Sequence, residues 1–193
     1  NDDTDPYDDN GHGTSCAGIA AAKEVIKLNG SNRIAVFTGN QKSENSRDRI
    51  LGMNDIFQRS RLKIECIRND SGDFNTAIKN VSDVIKNRPD INTFVGLWSY
   101  NGPAIIEALK SSNKFNKKIK VIAFDDEFST LENIESGYIH CSIAFKPFMY
   151  GYETVKFFES CNKLYSKKRN QFKWINTGFE IINKKNLDRY NAN

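Results

Sequence analysis

The run from Val95 to Leu109, VGLWSYNGPAIIEAL, constrains this chain most. It begins as an apolar strand, reaches Trp98-Ser99, and turns through Tyr100-Asn101-Gly102-Pro103 into a helical pattern. Ala104, Ile105, Ala108 and Leu109 recur at the spacing of one helix face. Asn101 ahead of Gly-Pro reads as a helix N-cap, because a first-turn proline removes an N–H that has no intrahelical acceptor. A strand feeding directly into a capped helix is half of a βαβ unit. In open α/β sheets the carboxyl ends of strands hold the ligand, so Trp98, Tyr100 and Asn101 mark the first place to look for a site.

The rest of the chain repeats the pattern. Strands are expected at 34–38, 62–67, 94–99, 120–124 and 138–144, with an extended segment at 172–182. Helices are expected at 17–28, 45–59, from Phe74 to just before Pro89, from Asp126 to about Ser136, and from Pro147 to about Tyr165. This alternation predicts an α/β fold, an open parallel sheet with helices on both faces and right-handed crossovers. Ile50, Met53 and Phe57 form the expected inner face of the second helix, and Ile19, Ala22 and Ile26 that of the first.

Composition narrows the function classes. Charged residues are 27% and hydrophobic ones 38%, which suits a globular domain with material for a core. The net charge is only +4. The lysine groups at 114–120, 163–169 and 184–185 fall at expected loops and helix ends, without an interleaved aromatic stripe, which argues against a nucleic-acid partner. Cys16, Cys66, Cys141 and Cys161 show no CxxC spacing, so neither a metal nor a cofactor is expected. No apolar run is long enough to span a membrane, and no signal peptide is visible.

Residues 1–22 differ in character from the rest of the chain. Gly11-His12-Gly13-Thr14-Ser15-Cys16-Ala17-Gly18, with the acidic stretch before it, resembles the catalytic-histidine segment of subtilisin-like serine proteases. That resemblance implies His12 as a general base. A triad also needs a nucleophile and an orienting carboxylate. There is no room upstream for the aspartate motif, and the only Gly-Thr-Ser is the one beside His12. An endopeptidase fragment is therefore the alternative expectation, not the leading one.

Four other places point elsewhere. Ile34-Ala-Val-Phe-Thr-Gly39 with Asn45-Ser-Arg47-Asp-Arg49 and Gly52, then Asp73, then Gly96-Leu-Trp-Ser-Tyr-Asn101, then Ala123-Phe-Asp125, resemble periplasmic sugar-binding proteins of the ribose-binding type. Pro147 and Gly151 continue the match, which covers about 33–185. The resemblance implies the second lobe of a two-lobed binding protein, with the first lobe largely missing. It implies a monosaccharide ligand, transporter subunits as partners, a periplasmic or extracellular location, and no catalysis. Arg47, Asn101 and Asp125 fall on its ligand-contacting positions, with Phe74 and Trp98 as aromatic walls. The chemistry suits a sugar: Arg47 presents a planar fork of donors, Asp125 accepts from hydroxyls, and Asn101 does both.

From the residues alone, other roles stay open. Arg47 equally suits an exposed helix position, Asn101 a cap, Asp125 a solvated loop, and Trp98 a core. The expected organisation is a protease-like scrap and linking helix at 1–28, the lobe at 33–145, and a return helix with terminal strands at 146–193, the whole being a fusion or truncation. Phe148, Tyr152, Val155 and Phe158 on the return helix would then lack a first lobe. The helix at 17–28 and the segment at 172–182 are expected to cover them in a satellite cluster apart from the sheet.

Overall fold

The computed structural model describes residues 12–28, 33–60, 62–114, 118–163 and 177–191, with side chains described from Ser15 onward and, in the fourth stretch, as far as Glu159. In chain order the elements are α1 (His12–Lys27), β1 (Ile34–Thr38), α2 (Glu44–Ser60), β2 (Ile64–Asn69), α3 (Phe74–Asn87), β3 (Thr93–Gly96) and α4 (Asn101–Ser111). They continue as β4 (Lys120–Phe124), α5 (Phe128–Glu135), β5 (Cys141–Phe145), α6 (Pro147–Lys163), β6 (Phe179–Asn183) and α7 (Leu187–Asn191).

The six strands form one sheet in the order β2-β1-β3-β4-β5-β6. The pairs from β2 to β5 are parallel, and β6 runs antiparallel to β5, with Ser142 opposite Ile182. Strand side chains alternate between two cores, as a pleated sheet covered on both sides requires. Ala35, Phe37, Phe94, Val121 and Ala123 face a cluster completed by α3, α4, α5 and α7. Ile34, Val36, Val95, Ile122 and Phe124 face the other cluster, completed by α1 and α2. The α/β architecture expected from the sequence is thus the one found.

Several elements differ from expectation. The strand at 94–99 ends at Gly96 because Trp98 has left the sheet to start a turn, its carbonyl accepting from Asn101 N at 2.9 Å. The strand expected at 138–144 starts only at Cys141, after a turn carried by Gly137 at φ +76°. The short α7 was not foreseen.

The larger correction concerns α1. It does not join α6 in a satellite cluster, but lies on the main sheet beside α2. Its buried residues are Ala17, Ala20, Ala21, Ala22 and Val25, whereas Ile19 is half-buried and Ile26 exposed. The inner face is made of small residues because two helices share that side of the sheet at close range. A Cβ on Gly18 would lie 2.1 Å from the Arg49 carbonyl oxygen, and one on Gly52 would lie 2.2 Å from that of Ser15. Packing therefore runs without a break from α1 into the lobe. The described part of the C-terminal segment, β6, likewise pairs with the main sheet, while 172–176 lie outside the described residues. The one helix left uncovered is α6: none of its residues from Pro147 to Glu159 is buried, and Phe148 and Phe158 are 78% and 65% exposed.

Candidate functional site

Strands β1 and β3 are neighbours, yet the chain leaves them for opposite faces, to α2 and to α4. Such a reversal opens a crevice at the carboxyl edge of the sheet. Gly39 ends β1 there, and the Trp98 ring lies against it, so that a Cβ on Gly39 would come within 2.2 Å of the indole. The indole N–H donates to Ser46 Oγ at 3.0 Å, and Ser46 is joined to Thr38 Oγ1 at 2.7 Å. One turn along α2 from Ser46, the same face carries Arg49.

Arg49 is 7% exposed. Its Nη1 donates to the Leu97 carbonyl. Its guanidinium carbon sits 4.4 Å from the Phe124 ring centre and 5.1 Å from that of Phe145. Its buried Nε has no hydrogen-bond partner. Burial pulls the guanidinium pKa down, and the charge of Asp125 opposes that shift. Asp125 follows β4 with φ at +65°, held by its own N–H on Ile143 O at 2.9 Å and by the Ser142 hydroxyl on its carbonyl. Burial raises the Asp125 carboxyl pKa and Arg49 lowers it. The two charges act on each other through space, and the guanidinium keeps donors free for a third party.

Aromatic rings extend this edge. Trp98 meets Tyr100 edge-on at 6.3 Å, and Tyr100 meets Phe74 at 6.5 Å. Tyr100 is fixed by its hydroxyl on Asp70, a carboxylate only 2% exposed. Burial and Asp70 both push the phenol pKa up, so Tyr100 stays a donor. Asp70 also accepts from Asn101 Nδ2 at 2.9 Å and from Gly72 N at 3.0 Å.

Of the residues singled out from sequence, Phe74, Trp98 and Asp125 lie along this edge, while Arg47 is exposed and Asn101 is buried. Arg49 is two positions on from Arg47, about 200° around a helix, so α2 turns one outward when the other points in. The buried arginine is Arg49, and the missed signal was its spacing to Gly52 and Met53, three and four residues on. Asn101 is fully buried and does not cap α4: it is the first helical residue, and its Oδ1 accepts the Trp98 N–H at 3.0 Å. With Nδ2 on Asp70, it braces the turn and has no open face for a ligand. Asp70 itself was missed, since an aspartate after a strand reads as a loop residue until its partners are known.

His12 opens α1, but its side chain lies outside the described residues. Ser15 is wedged at the α1–α2 crossing, its Oγ 3.1 Å from where a Gly52 Cβ would stand.

Comparison with known proteins bears on the fold. No curated protein matches the sequence. Several solved structures match the fold. An arabinose-binding protein, AraP, from Geobacillus stearothermophilus is 26% identical at a TM-score of 0.80, over 92% of this chain and 63% of that one. A solute-binding protein of an ABC transporter from Burkholderia graminis C4D1M, in complex with D-arabinose, is 25% identical at 0.81, over 90% and 61%. A glucose–galactose-binding protein, GanP, from Geobacillus stearothermophilus shares the fold at 0.80 with 21% identity, over 90% and 61%. The chain thus spans about three-fifths of the length of these binding proteins. A family model described as periplasmic binding protein domain matches residues 15–159, including most of α1, and the chain belongs to that family.

Proposed function

We propose that this chain binds a monosaccharide, as one lobe of the solute-binding component of an ABC-type sugar transporter. The observation that carries the reading is Arg49, a buried cation with an unpartnered Nε whose charge acts on Asp125. A sugar hydroxyl both donates and accepts, so one hydroxyl pair satisfies the guanidinium and the carboxylate together. Trp98, Tyr100 and Phe74 offer flat surfaces to the C–H side of the ring. Discrimination follows because a ligand without matching hydroxyls leaves Arg49 and Asp125 buried and unsatisfied. The opposing charges suit a neutral ligand. The family and the ligands named for AraP and the Burkholderia protein support the sugar class, a periplasmic or extracellular location, and transporter subunits as partners.

Calorimetry with arabinose, ribose, xylose, galactose and glucose tests this. Saturable heat with at least one sugar, lost in Arg49→Lys and Asp125→Asn variants that keep their circular dichroism, is the expected result. No heat with folded protein at tens of millimolar sugar would refute binding by this lobe.

A further inference from the structure

Asp125, Asp126 and Glu127 form the turn that leads from β4 into α5. Asp125 holds φ at +65°, a left-handed conformation that a residue with a Cβ keeps only when its surroundings impose it. Two of its anchors come from β5: Ile143 O accepts its N–H, and the Ser142 hydroxyl donates to its carbonyl. A third tie acts one residue further on, where the Tyr190 hydroxyl donates to Asp126 Oδ2 at 2.5 Å. It comes from α7, which the sugar-binding reading does not use.

Tyr190 is well placed to act as a fixed point. A helix of five residues does not hold by itself, so α7 depends on its packing. Leu187, its first residue, is buried in the core cluster on the α3–α4–α5 side of the sheet, and Tyr190 packs against the same cluster. Asn186 closes the connection from β6, its Oδ1 accepting the Asn183 N–H at 2.7 Å and its Nδ2 donating to Ile181 O at 2.9 Å. Burial and Asp126 both raise the Tyr190 phenol pKa, so the hydroxyl keeps its proton to donate.

The charges of the turn give this tie its consequence. Burial raises the Asp125 carboxyl pKa, the charge of Arg49 lowers it, and the neighbouring carboxylates of Asp126 and Glu127 raise it again. Of the three carboxylates, the one whose charge acts on Arg49 is Asp125. We propose that Tyr190 is a positioning residue, which by holding Asp126 on α7 fixes the turn that sets the Asp125 carboxylate against the Arg49 charge. Its effect on affinity rests on the sugar-binding reading; its effect on Asp125 does not.

The test uses the whole chain and the variants Tyr190→Phe, Asp126→Ala, Asp126→Asn and Tyr190→Phe/Asp126→Ala. Phenylalanine keeps the ring against the core, and position 126 is exposed, so the fold does not depend on either change. Without sugar, the Asp125 carboxyl carbon is titrated by NMR. Tyr190→Phe is expected to bring its midpoint down toward that of an ordinary aspartate, about 3.9, as the turn relaxes into water. With the sugar that calorimetry identifies, Tyr190→Phe and Asp126→Ala should each weaken binding roughly fivefold. The double variant should be no weaker than either single one, since both remove the same bond. Asp126→Asn, whose amide oxygen still accepts from Tyr190, should bind better than Asp126→Ala. An Asp125 midpoint unmoved by Tyr190→Phe, additive losses in the double variant, or no rescue by asparagine would overturn the proposal. A native chain that binds no sugar would refute the sugar-binding reading alone, and the Asp125 titration would then decide the role of Tyr190.

Discussion

Replacing glycine by alanine should have opposite effects at two helical positions of this chain. Gly18 in α1 and Gly151 in α6 both have ordinary helical backbones, and at both alanine gains about 0.8–1 kcal/mol of helix propensity. At Gly151 that gain stands alone, since an added Cβ meets nothing within 4 Å. At Gly18 the Cβ would lie 2.1 Å from the Arg49 oxygen and 2.8 Å from its Cα, all backbone, with no side chain to swing aside. An ordinary carbon contact is about 3.5–4.0 Å, so α1 and α2 must separate by more than 1 Å. That loosens the whole seam of Ala17, Ala21, Val25, Met53 and Phe57. Overpacking costs about 1–3 kcal/mol, and a contact between two backbones belongs at the upper end. The net effect is about 2 kcal/mol of destabilisation for Gly18→Ala against about 0.5–1 of stabilisation for Gly151→Ala. In urea, with a slope of about 2 kcal/mol per molar, Gly18→Ala lowers the midpoint by about 1 M, while Gly151→Ala raises it by less than half as much. A midpoint that rises for both would show that α1 does not press on α2 as described.

Other expectations rest on single contacts. Burial lowers the pKa of His140, whose Nδ1 accepts the Val121 N–H at 3.2 Å. The unfolded chain therefore takes up the proton first, and stability falls as pH drops below about 6.5, by at most about 1.4 kcal/mol per pH unit; urea midpoints that do not change between pH 7.5 and 5.5 would contradict this. Asp70→Ala strands the buried Asn101 Nδ2 and removes the acceptor of the Tyr100 hydroxyl and the Gly72 N–H, and should cost about 2 kcal/mol in a denaturation series, with Asp70→Asn milder. Phe148→Lys with Val155→Lys on the exposed face of α6 should reduce self-association in sedimentation while leaving stability within about 0.5 kcal/mol, because neither side chain is buried. Hydrogen exchange should find α1 amides as slow as those of β3, with α6 opening first, and early opening of α1 would return it to the periphery.

The fold was legible because its signals are large and repeated. The strand at Ile34–Thr38 and the helix at Phe74–Asn87 carry strong apolar periodicity and unambiguous ends, the latter capped by Asp73 on Thr76 N at 2.7 Å. What misled was α1, where periodicity was sought in Ile19 and Ile26. Close packing of two helices on one sheet face is achieved with alanine and glycine, which carry little hydrophobic signal, and the large residues turn outward. Of the stretch that resembles a protease segment, Ser15, Ala17 and Gly18 sit at helix-contact or buried positions.

The site was half legible for a related reason. Asp125 and Trp98 follow strands directly, so the carboxyl-edge rule places them without knowledge of any contact. Arg49 lies on a helix, where an error of two residues reverses the face, and Arg47 and Arg49 have the same chemistry. Only burial separates them: the Arg49 guanidinium lies over Phe124 and Phe145, while the Gly18 backbone rests on the Arg49 backbone. The segment that looked foreign to the lobe therefore touches the backbone that carries this cation. A change in α1 reaches the site through one backbone contact, without any α1 side chain needing to touch a ligand.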